Sequence, residues 1–144
     1  MSPSLGRILS YINRNVMAII GRELEPYGIG HGQFPLMMYL YEQDGVNQET
    51  MAQVMRVDKA TIARNVQRLL EEGYIVRERD ESDARSYVIR LTPKGREVEG
   101  AMRSVSEVVQ DVLLKGLSED EACRAREMLE RMAANVIDHV EGRE

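Results

Sequence analysis

The middle of the chain carries basic and polar side chains at a spacing that suits contact with nucleic acid. In VDKATIARNVQRLLEEGY, residues 57–74, the apolar residues that recur at helical spacing would face inward: Ile62, Val66, Leu69 and Leu70. The opposite face and the exposed first turn would present Lys59, Ala60, Thr61, Arg64, Gln67 and Arg68. Arginine can bond guanine O6 and N7 together, threonine and lysine reach phosphates, and alanine lets the backbone approach a thymine methyl. The face therefore predicts DNA contact; an ordinary solvated helix face is the alternative.

A second candidate contact lies in the charged segment RERDESDARS, residues 77–86. A narrow minor groove concentrates negative potential and favours the weakly hydrated guanidinium group. We therefore expect Arg85 to enter a minor groove, with Arg79 as a further DNA contact. Asp83 would accept hydrogen bonds from the Arg85 side chain or from loop amides and hold the tip extended. The alternative is a surface pair between Asp83 and Arg85, worth about 0 to 1 kcal/mol.

The distribution of charge agrees with a polyanionic partner for this part of the chain. The whole chain has a formal net charge of -5, but residues 56–96 carry ten Lys/Arg and seven Asp/Glu, a net of +3. The remaining residues then carry a net of -8. Because a polyanion responds to the local potential, the basic middle matters more than the acidic total.

The elements that would position these side chains are mainly helical. Apolar residues at helical spacing predict a long first helix from Leu5 to Ile20, and QFPLMMYLYEQ predicts a second, with Pro35 in its first turn. Asn47 is a plausible cap for a short helix to Val54. Asp58 would cap the helix with the basic face, and Gly73 would end that helix in the left-handed conformation.

Two strands and two further helices complete the predicted order. YIVRER and YVIRL have strand composition and flank the charged tip, so they predict a β-hairpin with a long loop. Thr92 followed by Pro93 would start one helix, and the capping box of Ser118 and Glu121 would start the last. A helix-turn-helix followed by a hairpin is a winged helix-turn-helix. The predicted fold class is therefore mainly α with a small β-hairpin wing.

A chain of 144 residues suits a single domain, residues 1–144. Within it, residues 30–95 would form the winged helix-turn-helix, the DNA-binding part. Residues 1–25 and 96–144 would form a helical dimerisation part, because the apolar stripes of the first and last helices exceed what a small winged domain can cover. We therefore expect a homodimer.

Residues 57–95 also resemble the core of the MarR (multiple-antibiotic-resistance regulator) family of transcription factors. The resemblance rests mainly on the wing and its flanks, where the family pattern is matched by Gly73, Arg77, Asp80, Asp83, Arg85, Leu91, Thr92 and Gly95. The sequence departs from the pattern at Ala63, where the family often has Ser or Thr, and at Asn65, where an aliphatic residue is usual. The resemblance implies a dimeric regulator that binds a pseudo-palindromic operator of double-stranded DNA. It also implies that the matching Asp and Arg of the wing take part in contact with the minor groove.

The resemblance further implies a small aromatic or phenolic effector, such as salicylate, whose binding weakens the hold on DNA and so releases a repressor. Candidate ligands for an aromatic carboxylate are a cation, two phenols, an imidazole and adaptable apolar groups on the first two helices. They are Tyr11, Arg14, His31, Phe34, Met37, Met38 and Tyr41. A stripe of methionines and aromatics is also what an ordinary core shows, and that interpretation stays open.

Other function classes find less support in the sequence. An enzyme is not expected, because there is no glycine-rich phosphate loop and no plausible Ser/His/Asp or Cys/His arrangement. No cofactor or metal is expected either: Cys123 is the only cysteine, for which we expect a packing role, and the two histidines lack ligand spacing. No apolar stretch approaches about 20 residues, so we expect no membrane partner and a cytoplasmic location. A winged-helix module for protein interaction or dimerisation without DNA binding is the alternative, and the basic helix face disfavours it.

Overall fold

The computed structural model describes residues 2–83 and 85–143. In chain order its helices and strands are α1 (Leu5–Leu24), a 3-10 turn (Glu25–Tyr27), α2 (Phe34–Glu42), β1 (Val46–Asn47), α3 (Gln48–Met55), α4 (Lys59–Glu71), β2 (Ile75–Arg79), β3 (Tyr87–Leu91), α5 (Pro93–Glu97), α6 (Glu99–Leu114) and α7 (Glu119–Val140). This order confirms the predicted fold class.

The helix ends lie where short polar side chains replace missing backbone partners. Asn47 accepts a hydrogen bond from the Thr50 amide and begins α3, and Asp58 does the same for the Thr61 amide and begins α4. Between the two helices, Arg56 adopts a left-handed conformation with φ of 56°, which permits the tight turn. Gly73 follows α4 with φ of 79°, as its sequence position predicted.

The sheet has three antiparallel strands in the order β1-β3-β2, with β3 in the centre. In the hairpin, Ile75 pairs with Leu91 and Arg79 pairs with Tyr87. The sequence predicted the hairpin but missed β1, in which Val46 pairs with Ile89. The two residues of β1 are too few to show an alternating pattern. They tie the start of α3 to the wing.

A single apolar core supports the helix-turn-helix and the wing. Its fully buried members include Leu24 of α1, Met37 and Leu40 of α2, Met51 of α3 and Met102 of α6. From α4 it receives Ile62, Val66 and Leu69, while Leu70 is partly buried against it. Three of the four predicted inward positions on α4 are therefore buried and the fourth lies at the edge of the core.

The helix predicted to start at Thr92 is two helices, because Val98 leaves the helical conformation between α5 and α6. By internal contacts the chain divides into two units, residues 1–109 and 110–144. The first contains the core and the sheet. The second contains α7, which begins with the predicted capping box of Ser118 and Glu121.

Within the second unit, no described residue of α7 is buried. Cys123 is exposed, contrary to the packing role that the sequence suggested, and its thiol lies 4.0 Å from Glu127 Oε1. Helical spacing places Cys123 on α7 but cannot tell whether anything covers that face of the helix.

Candidate nucleic-acid interface

The first turn of α4 holds a chain of three hydrogen-bonded side chains. The Asp58 carboxylate accepts from the Thr61 amide and from the Thr61 hydroxyl, each at 2.8 Å. The Thr61 oxygen in turn accepts from Arg64 Nη2 at 3.1 Å. The two bonds from Thr61 lower the pKa of Asp58 below its ordinary value. The helix cap therefore also orients Thr61 and Arg64 on the exposed side of α4.

The other predicted contacts of α4 lie on its accessible surface. Lys59 and Ala60 are exposed in the first turn, and Lys59 Nζ lies 3.7 Å from Glu49 Oε1 of α3. Gln67 is exposed and donates to Glu71 Oε1 at 3.2 Å. Arg68 is also exposed, but its guanidinium lies beside Gly30: a methyl group placed on Gly30 would be 3.7 Å from Arg68 Nη1. Thr61, Arg64 and their first-turn neighbours therefore form the part of α4 with the clearest access to a ligand.

Two aspartates shape the described part of the wing tip by binding backbone amides. Asp83 Oδ1 accepts from the Arg85 amide at 3.0 Å, one of the two arrangements that the sequence allowed. Asp80 accepts from the Ser82 amide at 3.0 Å and from the Ser82 hydroxyl at 2.8 Å, which lowers the pKa of Asp80. Arg85 is exposed. Asp83 therefore constrains the Arg85 backbone and leaves the Arg85 side chain free of that hydrogen bond.

The arms of the wing carry further cations. Arg79 on β2 lies over the ring of Tyr87 on β3, with 5.5 Å between the guanidinium carbon and the ring centre. Arg77 Nη2 donates to Gln48 Oε1 at 3.3 Å and so joins the wing to the start of α3. Gln48 is not among the contacts that the sequence pattern predicts. A hollow of about 620 Å³ lies here, lined by Asn47, Gln48, Glu49, Arg77, Ser86, Tyr87 and Ile89.

The residues predicted for an effector separate into two groups. Phe34 and Met37 are buried in the core, and Met38 and Tyr41 pack against it. The Tyr41 hydroxyl donates to the Gly95 carbonyl at 2.7 Å. Burial, followed by the charge of Glu99, raises the pKa of Tyr41 above its ordinary value, so this phenol stays protonated.

The second group, Tyr11, Arg14 and His31, is exposed. Tyr11 lines a shallow hollow of about 420 Å³ on α1 together with Pro3, Arg7 and Ile8. Among the described residues there is no group of His, Cys, Asp and Glu that could hold a metal ion. The described helices include none that is both long enough and apolar enough to cross a membrane.

A polar contact that sequence reasoning missed joins the start of α2 to α4. The Gln33 side chain is 6% exposed and donates from Nε2 to Asn65 Oδ1 at 2.7 Å. Asn65 had been noticed as a departure from the MarR pattern, but its partner is 32 residues away in the chain. The repeated glycines of GIGHG before Gln33 were the available signal, since they indicate a close approach of the backbone to another element.

A helix-turn-helix with a basic exposed face, followed by an antiparallel hairpin, defines a winged helix-turn-helix of the kind that binds DNA. Comparison with known proteins agrees. The MarR family model matches residues 29–87. The HTH-type transcriptional regulator BilQ of Clostridium symbiosum is 30% identical over 118 residues, which cover 82% of this chain and 82% of that protein.

Solved structures of MarR regulators have a fold similar to that of this chain. A MarR transcriptional regulator from Methanosarcina mazei is 40% identical, with a TM-score of 0.86 over 93% of this chain and 96% of that one. A MarR family regulator from Listeria monocytogenes, solved as a complex with 26mer DNA, shares the fold at 21% identity, with a TM-score of 0.86 over 99% of this chain and 98% of that one. The chain belongs to the MarR family of transcriptional regulators, and it is not an enzyme.

Proposed function

We propose that this regulator is a homodimer that binds a pseudo-palindromic DNA operator, represses transcription and is released by a small aromatic effector. The observation that carries the proposal is the hydrogen-bonded chain from Asp58 through Thr61 to Arg64, next to a wing whose Asp83 fixes the backbone of Arg85. Bidentate recognition of guanine needs an oriented guanidinium, and Thr61 supplies that orientation for Arg64.

In this proposal the two arginines have different tasks. Arg64 contacts a base edge in the major groove, where each base pair presents a distinct set of donors and acceptors. Arg85 enters the flanking minor groove and responds to its width rather than to base identity. The remaining predicted polar and basic contacts bind phosphates and fix the register of the protein on the duplex. They are Lys59, Thr61, Gln67, Arg68 and Arg79. Ala60 lets the backbone approach a thymine methyl, and Asp83 holds the wing tip through the Arg85 amide.

Support for a homodimer comes from large apolar side chains that the single chain leaves exposed. On α1 they are Leu5, Ile8, Leu9, Tyr11 and Ile12, and on α7 they are Met128, Leu129, Val136 and Val140. Large apolar side chains exposed along a helix in this way are typical of an association surface. A two-fold dimer presents two copies of α4, which a palindromic site matches with half-sites about one helical turn apart.

Selection of bound duplexes from a random pool tests the DNA-binding part of the proposal. We expect a two-fold symmetric consensus with flanks rich in A/T, and an affinity that falls steeply as salt rises because phosphate contacts release counterions. Genomic DNA near the gene supplies the natural site for a transcription assay, in which added protein should lower transcript yield. A pool that shows no enrichment after repeated rounds would contradict the proposal.

Support for the effector site comes from Arg14, an exposed cation one helical turn from Tyr11 on the helix that also carries the shallow hollow. Salicylate should raise the melting temperature and weaken operator binding, because a ligand shifts an equilibrium only through different affinities for its two states. Arg14→Ala should reduce both effects, whereas the exposed Arg22→Ala on the same helix should not. Flat titrations with a panel of aromatic acids would remove the effector and leave DNA binding intact.

Because a transcriptional regulator must reach chromosomal DNA, the cytoplasmic location expected from the sequence also belongs to this proposal.

A further inference from the structure

A strip of backbone before α2 lies along one stripe of α4. We call residues 28–32 the glycine strip. A methyl group placed on Gly28 would lie 2.8 Å from Glu72 Oε2, and one placed on Gly32 would lie 2.9 Å from Asn65 Oδ1. A methyl group placed on Gly30 would lie 2.8 Å from Gln33 Oε1 and 3.7 Å from Arg68 Nη1. Asn65, Arg68 and Glu72 are spaced by three and four residues, so they share one side of the helix. In each case the atom that the added methyl group would meet is the end of a side chain, so glycine lets the strip pack against these side chains without displacing them.

Gln33 connects the end of the glycine strip to α4 through both ends of its amide. Its Oε1 accepts from the Gly30 amide at 2.7 Å, and its Nε2 donates to Asn65 Oδ1 at 2.7 Å. Gln33 is the N-cap of α2, and it is the one buried polar or charged side chain among the described residues. A buried amide that loses its hydrogen-bond partner is destabilising, because it has given up water and gained nothing in return. Arrangements of α4 that keep the hydrogen bond between Gln33 and Asn65 are therefore favoured over those that break it.

The apolar contacts of α4 do not supply that geometry. Ile62, Val66 and Leu69 hold the helix against the core, but hydrophobic burial is non-directional and tolerates small rotations or shifts along the helix axis. Recognition of base edges tolerates about 0.5 Å of error before hydrogen bonds are lost. A short hydrogen bond from a rigid neighbouring element restricts both the rotation and the shift.

We propose that Gln33 and Asn65 are positioning residues for base recognition: their hydrogen bond, with the glycine strip behind it, sets the orientation in which α4 presents Thr61 and Arg64. The inference rests on the proposed role of α4 in DNA binding. Gln33 is buried, so its side chain is not available for contact with DNA. Any effect of its replacement on sequence preference must pass through α4.

The test measures the ratio of affinities for the selected operator and for an unrelated duplex, together with the melting temperature. Gln33→Leu and Asn65→Leu each remove the hydrogen bond, and we expect each to lower that ratio by about tenfold, the scale of one base contact. Affinity for the unrelated duplex should stay within about twofold, since phosphate contacts tolerate a reoriented helix. Asn65→Asp keeps an acceptor for Gln33 Nε2, so its added charge should weaken both duplexes alike and leave the ratio unchanged.

Two further variants separate positioning from general loss of stability. Gly32→Ala adds a methyl group against Asn65 Oδ1 without altering either amide, and Gly32 is not in a conformation restricted to glycine, so the ratio should fall. Val105→Ala truncates a buried side chain of α6 and should lower the melting temperature while leaving the ratio as in the parent.

The outcomes distinguish this inference from the proposed function. If Arg64→Ala lowers the ratio but Gln33→Leu and Asn65→Leu leave it within about twofold of the parent value, the positioning role is wrong and the assignment of α4 stands. A ratio that follows the melting temperature in all variants, Val105→Ala included, would reduce the pair to a structural contact and also overturn the inference. If Arg64→Ala has no effect either, α4 does not recognise bases and the proposed function itself fails.

Discussion

At the scale of single residues, the interface is organised by carboxylates that bind backbone amides. Asp58 orients Thr61 and, through it, Arg64. Asp83 binds the Arg85 amide, and Asp80 binds the Ser82 amide. The acids of a DNA-binding surface therefore shape the segments that carry its cations, which explains why so charged a wing contains as many acids as it does.

A prediction about acid follows from Asp58. Its pKa lies below the ordinary value of 3.8, so the ionised form stabilises the folded chain above about pH 4, and that contribution is lost as the pH falls through the lowered pKa. Asp58→Asn keeps a cap for the Thr61 amide but removes the titrating group. Between about pH 5 and about pH 3, its melting temperature should therefore fall less than that of the parent. Equal losses measured by circular dichroism in both proteins would show that Asp58 does not carry this part of the acid sensitivity.

Residue types predicted which cations are exposed better than they predicted the buried polar contact. Lys59, Arg64 and Arg85 could be placed because cations at helical spacing or in a charged loop are visible in one sequence. Gln33 could not be paired with Asn65, because a hydrogen bond over 32 residues depends on tertiary packing. Nor could the sequence separate Phe34 and Met37, which lie in the core, from the exposed Tyr11 and Arg14.

At the scale of elements, local signals determined most boundaries. Asn47, Asp58, Thr92 and Ser118 each cap a helix where the sequence placed one. The elements that escaped prediction are short. The two residues of β1 form a strand only because β3 lies beside them. The break between α5 and α6 falls at Val98, where the sequence has neither of the usual helix-breaking residues, proline and glycine. Both features arise from packing, so the sequence pattern alone does not report them.

Gly95, in the short helix α5, provides a test of packing between elements. A methyl group at this position would lie 2.3 Å from the Tyr74 carbonyl oxygen, and backbone cannot move aside as a flexible side chain can. Gly95→Ala should therefore destabilise the chain by about 1–3 kcal/mol in urea denaturation.

Gly100→Ala on α6 is the matched control, since nothing lies within 4 Å of the added group. It should stabilise the chain by about 0.5–1 kcal/mol through helix propensity. Equal free energies of unfolding for the two variants would mean that α5 does not pack on the residue before β2 as described.

At the scale of the whole molecule, a single chain leaves large apolar side chains exposed on its long helices, and in the proposed dimer a second copy covers them. Val136 of α7 is 64% exposed. Val136→Asp would place a charge in a shared core and should convert dimers to monomers. Ala134→Asp introduces the same charge about 200° around the helix, where the residue is also exposed, and should leave the dimer intact. Light scattering at micromolar concentration measures the molar mass of the parent and of both variants. A monomeric parent would contradict the proposed dimer.

We propose that Arg64 and Arg85 contact DNA in different grooves, and binding of each alanine variant to a set of operator duplexes tests this most directly. Arg64→Ala should cost about 1–3 kcal/mol and relax the preference at one position in each half-site. Arg85→Ala should weaken binding most on flanks with narrow A/T-rich minor grooves and keep the central preference. If both variants bind the selected operator as tightly as the parent at moderate salt, the assignment of α4 and the wing to DNA recognition is wrong.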